Sequence, residues 1–190
     1  PSSQDICQGS EAAYVVNVGT SFTAPVNMSA VGNPAPSTAV FNPNPVVTLP
    51  ATTTLTIANT AAVTPGNYLI TITGDDTSIT DTFDVDLNVF ASAPTAPTLT
   101  TPANNSTGVS LNPSLTWSAV ATATEYDIEI ATDAGFSNIV YTATEATNSH
   151  NVATSLNANT QYFWRVTSVN PCGTGATSTA FSFTTVNLLC

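Results

Sequence analysis

His150 is the only histidine among 190 residues, and it limits the chemistry this sequence can offer. A nucleophilic site needs a base held against Ser or Cys, and an orienting group behind the base. His150 lies in Thr147-Asn148-Ser149-His150-Asn151, which reads as the solvent-exposed edge of a strand, and no Gly-x-Ser-x-Gly turn exists. No His-Glu-x-x-His is present, and one histidine cannot build a zinc site. Acids are more plentiful: Asp75, Asp76, Asp81, Asp84 and Asp86 crowd one stretch. A glycosidase pair would need a cleft and a group that raises one carboxyl pKa, and neither is visible. The stretch reads as a solvated acidic turn. Asp75, Asp76 and Asp81 are the candidate calcium ligands, since calcium gathers six to eight oxygens. Nothing else suggests a cofactor, and the expectation is a chain that is not an enzyme.

The charge balance narrows the partners. The net charge is −11, Arg165 is the only cationic Lys or Arg side chain, and charged residues make up 7% of the chain, against about 25% in ordinary domains. Such a chain cannot neutralise a row of phosphates, so nucleic acid is not an expected partner. Anionic lipid is disfavoured for the same reason. No apolar run approaches the roughly 20 residues that span a bilayer. Few charges with abundant Thr and Ser suit an extracellular module, secreted or at a cell surface. Both ends read as processing boundaries, with a signal segment expected upstream.

The cysteines are Cys7, Cys172 and Cys190. Cys172 and Cys190 flank what reads as the last hairpin. A bridge there would close a loop of about 20 residues and contribute about 3 kcal/mol. Cys7 is then left over, to pair outside this chain or stay free. The alternative is three buried thiols.

The elements that position these residues are strands. Apolar residues alternate at Tyr14, Val16, Val18, at Tyr68, Ile70, Ile72, and at Phe83, Val85, Leu87, Val89. Period two marks half-buried strands, and the intervening Thr and Val suit them. Turn signals such as Gly32-Asn33-Pro34, Pro65-Gly66-Asn67 and Gly74-Asp75-Asp76 recur about every ten residues. No segment carries a helical stripe. The fold class expected is all-β, with two tandem immunoglobulin-like β-sandwiches, residues 1–91 and 92–190. The short proline-bearing stretch Ala91-Ser92-Ala93-Pro94-Thr95-Ala96-Pro97 between them is expected to be semi-rigid.

The second half resembles a fibronectin type III domain over about residues 94–186. Leu115-Thr116-Trp117 resembles its second strand. Glu125 to Ile130, followed by Ala131 to Phe136, resembles the third strand and its exit turn. Leu156 to Val166 resembles the family signature, with Tyr162 in the tyrosine-corner place, and Phe181 to Thr185 resembles the closing strand. The first half looks like a bacterial immunoglobulin-like module, on Pro25 to Gly32, Ala39 to Pro45 and Pro65 to Gly74. The combination is similar to the non-catalytic region of secreted bacterial metallopeptidases.

That resemblance makes the third and sixth strands neighbours. Tyr126, Ile128 and Ile130 then face the core with Tyr162, Trp164 and Val166, and Trp117 joins them. Asp127, Glu129, Phe163 and Arg165 face outward. Arg165 is expected across from Asp127 or Glu129, a pair worth about 0.2–1 kcal/mol. Phe163 is a candidate anchor for a sugar ring or a protein, unless it merely covers a neighbour. With both tryptophans inward, an aromatic platform for sugars is not expected. The function expected is an accessory region of a secreted multidomain bacterial protein: a spacer that also holds substrate or a surface. The parent is expected to be a hydrolase such as a metallopeptidase. The rivals are an adhesin segment and a carbohydrate-binding module. Expected partners are other domains of the same polypeptide and extracellular protein or polysaccharide polymers, with the chain itself a monomer.

Overall fold

Valine, isoleucine and threonine at alternate positions favour pleated strands, because branched side chains pack on a pleated surface and lose freedom in a helix. The computed structural model describes residues 2–187. It divides into two units, Pro1–Ser92 and Ala93–Cys190. Each is an immunoglobulin-like β-sandwich.

Among its described residues unit 1 has seven strands: β1 (Ser3–Cys7), β2 (Ala12–Val18), β3 (Asn27–Val31), β4 (Thr38–Asn42), β5 (Ala51–Ala58), β6 (Gly66–Asp75) and β7 (Thr80–Phe90). One sheet runs β1-β7-β6-β3 and the other β2-β5-β4. The pairings are antiparallel except β1 with β7, which is parallel. The core follows the alternation: Tyr14, Val16 and Val18 of β2 meet Leu55 and Ile57 of β5, and Ile70, Ile72, Val85 and Leu87 of the facing sheet. Each such aliphatic side chain, fully buried, is worth about 1.5–3 kcal/mol. Gly32 ends β3 with φ +91, and a Cβ there would strike the Leu69 carbonyl of the neighbouring strand. One inward position departs from the pattern. Phe83 shares the parity of Val85 and Leu87, yet is 44% exposed.

Among its described residues unit 2 has nine strands: β8 (Leu99–Thr101), β9 (Ser106–Val109), β10 (Ser114–Trp117), β11 (Glu125–Ala131), β12 (Ile139–Glu145), β13 (Ser149–Asn151), β14 (Gln161–Asn170), β15 (Gly173–Thr177) and β16 (Phe181–Thr185). The sheets run β13-β10-β8 and β12-β11-β14-β16-β9, with β15 also on β14. β15 and β16 share one line, and Ser178 bridges the gap between them. Its Oγ accepts the Val166 N–H at 3.0 Å, and its own N–H donates to the Val166 carbonyl. Trp117, Ile128, Ile130, Tyr162, Trp164 and Phe183 form the core. Tyr162 makes the corner bond, its phenol oxygen accepting the Asn157 N–H at 3.0 Å.

One difference between the two sandwiches lies in the strand that follows β3 and β11. In unit 1, β4 crosses to pair β5, whereas in unit 2, β12 folds back onto β11. The connections explain this. After β11 a tight turn closes on Asp133. After β3 come Pro34 and Pro36, which lack the N–H groups a hairpin ladder needs.

Tyr14 offers a test of the first core. Its hydroxyl donates to the Asp86 carbonyl at 2.7 Å. Burial, then the Asp86 and Asp5 charges, push its pKa up to about 12. A raised phenol pKa stabilises the fold fully below the unfolded value of about 10. That contribution is lost as pH rises through the folded value. In a rapid alkaline pH jump, wild type minus Tyr14→Phe should show one phenolate step near pH 12. A step near the unfolded value would mean a solvated ring.

Candidate functional site

The outer face of β11, β12 and β14 carries Asp127, Glu129, Phe163 and Arg165, and the β11–β12 turn borders it. Asp133 Oδ1 accepts the N–H groups of Gly135 at 3.0 Å and Ser137 at 3.1 Å, and Oδ2 accepts that of Asn138 at 2.7 Å. These backbone bonds hold its carboxyl below the usual range. The turn puts Phe136 at φ 55, a left-handed conformation rare for a bulky residue. The Arg165 guanidinium lies 4.0 Å from the Phe136 ring centroid, a cation–π contact. Register sets Arg165 opposite Glu129, and its Nε donates to Glu129 Oε2 at 2.6 Å. Asp127 is not its partner. Asp127 stands opposite Thr167 and accepts from Thr144 Oγ1 at 2.7 Å.

This face carries a shallow depression of about 330 Å³ between Asp127, Glu129, Thr142, Thr144, Thr167 and Thr174. Thr167 and Thr177 share a hydroxyl bond at 2.8 Å. Phe163 is on the same face, half-buried, between Ala131 and Ser182 on its flanking strands, and it does not line the depression. Trp117 and Trp164 are buried in the core at 2% and 0% exposure. Sequence reasoning missed Phe136 and Asp133. An Asp two residues before a Gly, just past a strand, was the available signal.

The Arg165–Glu129 pair is about one-third exposed on each side, at 34% and 28%, so solvent screens it. A double-mutant cycle with Arg165→Met and Glu129→Gln should give a coupling of about 0.2–1 kcal/mol that shrinks with salt. Arg165→Met alone should cost more than the coupling, since it also uncovers Phe136. Equal losses would remove the cation–π contribution.

The acidic turn of unit 1 is built for backbone. Asp76 Oδ1 accepts the N–H groups of Ser78 at 2.8 Å and Ile79 at 2.7 Å, and Oδ2 accepts that of Thr23. The Thr23 bond leads these three in lowering its pKa. Asp75 and Asp81 bond the Thr77 and Thr82 amides of their own turn. The Asp76 oxygens thus serve the backbone of the turn, while Asp75 and Asp81 each bond a single neighbouring amide. Among the described residues no three His, Cys, Asp or Glu groups converge on a metal position.

His150 is not the exposed histidine expected. Its side chain is 11% exposed. Nδ1 meets Glu145 Oε1 at 2.6 Å, and Nε2 meets the Tyr141 hydroxyl at 2.7 Å. Both ring nitrogens are engaged in linking β13 to β12, and neither serves a serine. The cysteine reading also changes. Cys7, expected to be left over, is disulfide-bonded, and so is Cys172. The expected Cys172–Cys190 bridge has Cys190 outside the described residues.

No family model matches the sequence, and no curated protein matches it. Solved structures do. The chain is similar to the chicken CNTN1 FN1–FN3 domains at TM-score 0.56 and 15% identity, covering 96% of this chain. It spans 65% of that structure's length. Weaker likenesses include the Clostridium thermocellum CbhA fibronectin(III)-like modules, at TM-score 0.46 and 12% identity over 96% of this chain and 88% of that one. Titin domains A168–A170 align at TM-score 0.44 and 14% identity, over 92% and 58%. The CNTN1 likeness defines the class by fold: tandem β-sandwiches of the fibronectin type III kind.

Proposed function

We propose that this chain is a non-catalytic accessory region of a secreted multidomain bacterial protein, a spacer that also holds substrate or a surface. On this reading the first unit is a bacterial immunoglobulin-like module and the parent is a hydrolase such as a metallopeptidase. The observation that carries the non-catalytic reading is the fate of His150, whose two nitrogens are tied to Glu145 and Tyr141. The shallow threonine-lined face of unit 2 also suits contact with a polymer better than enclosure of a reacting bond. Disulfide-bonded cysteines are consistent with an oxidising compartment.

The test is co-sedimentation of the purified chain with insoluble collagen, elastin, chitin, cellulose and alginate gel. Retention on one polymer, weakened by Thr142→Glu or Thr167→Glu, supports a holding role and names its class. Passage through all of them leaves the spacer alone. Turnover of peptide, ester or glycoside reporters, lost in His150→Ala, would overturn the non-catalytic reading.

A further inference from the structure

Register lines the outer face of unit 2 into two rows that cross its strands. Thr142, Glu129 and Arg165 form one row, and Thr144, Asp127, Thr167 and Thr177 form the other. The first row is balanced, because Arg165 Nε bonds the Glu129 carboxylate. The second holds no cation. Asp127 Oδ1 accepts the Thr144 hydroxyl at 2.7 Å, and Thr167 bonds Thr177 at 2.8 Å. Arg165 is the only Lys or Arg of the chain, so no second such side chain can answer Asp127 from within. Asp127 is half-buried and lines the depression of about 330 Å³. Among the described residues its Oδ2 has no hydrogen-bond donor, and the Thr142 and Thr174 hydroxyls beside it have no partner.

These groups choose an occupant. A carboxylate without a cation, set in a depression, attracts positive charge. The net charge of −11 repels anionic polymers. A neutral sugar chain would lean on an aromatic surface, and among the described residues none that lines this depression is aromatic. A protein partner would seek an apolar or aromatic anchor at the centre, which the same lining lacks. Threonine hydroxyls both donate and accept, so they match the ring hydroxyls of a sugar. The occupant that meets both demands is a polymer carrying amines and hydroxyls together.

We propose that this depression binds a cationic amino-sugar polymer, such as deacetylated chitin. One ammonium sits on Asp127, and ring hydroxyls meet Thr142, Thr167 and Thr174. This inference rests on the holding role proposed above and names its substrate class.

The probe is a short glucosamine oligomer, titrated into isotope-labelled chain at mildly acid pH, where the sugar amines are charged. The fully N-acetylated oligomer and an oligolysine of equal charge are the comparisons. The glucosamine oligomer should shift the amides of Asp127, Thr142, Thr144 and Thr167, and bind about tenfold or more tightly than either comparison. Asp127→Asn should weaken it about tenfold, the loss of one charge-assisted hydrogen bond. The amide keeps an oxygen for the Thr144 hydroxyl, so the fold survives, which unchanged resonances away from the site would verify. Asp84→Asn is the matched control, since Asp84 of unit 1 accepts the Thr71 hydroxyl at the same 2.7 Å. It removes the same charge and should leave the affinity unchanged. Equal losses in the two variants, or oligolysine binding as tightly, would mean charge attraction alone and overturn the site. Equal binding of the acetylated oligomer, shifts that map elsewhere, or no binding would overturn it too. Retention of the chain on a neutral or anionic polymer would keep the holding role while this inference falls. Passage through every polymer, deacetylated chitin included, would remove both.

Discussion

Trp164→Ala should destabilise unit 2 by about 3–5 kcal/mol, the range for removing a fully buried tryptophan. Trp164 is 0% exposed and packs edge-on to Phe181, with ring centroids 6.3 Å apart at 89°. Its Nε1 has no hydrogen-bond acceptor among the described residues. The loss is therefore apolar contact and cavity, with no bonded polar partner left behind. Both tryptophans of the chain lie in unit 2, so in the variant Trp117 fluorescence follows that unit alone. Its urea midpoint should fall by at least about 1 M, given slopes of about 1–3 kcal/mol per molar. Circular dichroism, read in parallel, reports unit 1 as well. A loss under about 1 kcal/mol would mean that the surrounding side chains collapse into the space.

Alternation made β2 and β6 legible, because in Tyr14-Val16-Val18 and Ile70-Ile72 the inward parity is also the buried one. The same rule misplaced Phe83. Parity says which face a side chain takes, but burial depends on cover from other elements, and among the described residues Phe83 stays 44% exposed. Parity also narrowed the Arg165 partner to Asp127 or Glu129. Choosing between them needed the register, which pairs Glu129 with Arg165 and Asp127 with Thr167. His150 was misread because its cover comes from Tyr141 and Glu145 on β12, in the other sheet. Phe136 went unseen because its place depends on a left-handed turn that no hydrophobic pattern encodes. The cysteines were paired by closeness in sequence, and Cys7, set aside by that rule, is disulfide-bonded.

Asp76→Asn and Asp133→Asn should each flatten the acid limb of stability in their own unit. Each carboxylate accepts three backbone N–H groups, and each folded pKa is lowered. A depressed folded pKa means that the stabilisation is complete above the unfolded value of about 3.9 and is lost as pH falls through the folded value. The amide keeps one oxygen acceptor but turns an N–H toward a group that itself donates, Thr23 in unit 1 and Asn138 in unit 2. At neutral pH each variant should therefore melt at a lower temperature than wild type. The difference should hold constant down to about pH 4, then shrink, and vanish once the wild-type carboxyl is protonated. Tryptophan fluorescence isolates the Asp133 effect, because both tryptophans lie in unit 2, and hydrogen exchange at the buried amides of unit 1 follows that of Asp76. A gap that persists undiminished at low pH would show that these turns depend on shape and hydrogen-bond geometry, with the charge contributing nothing.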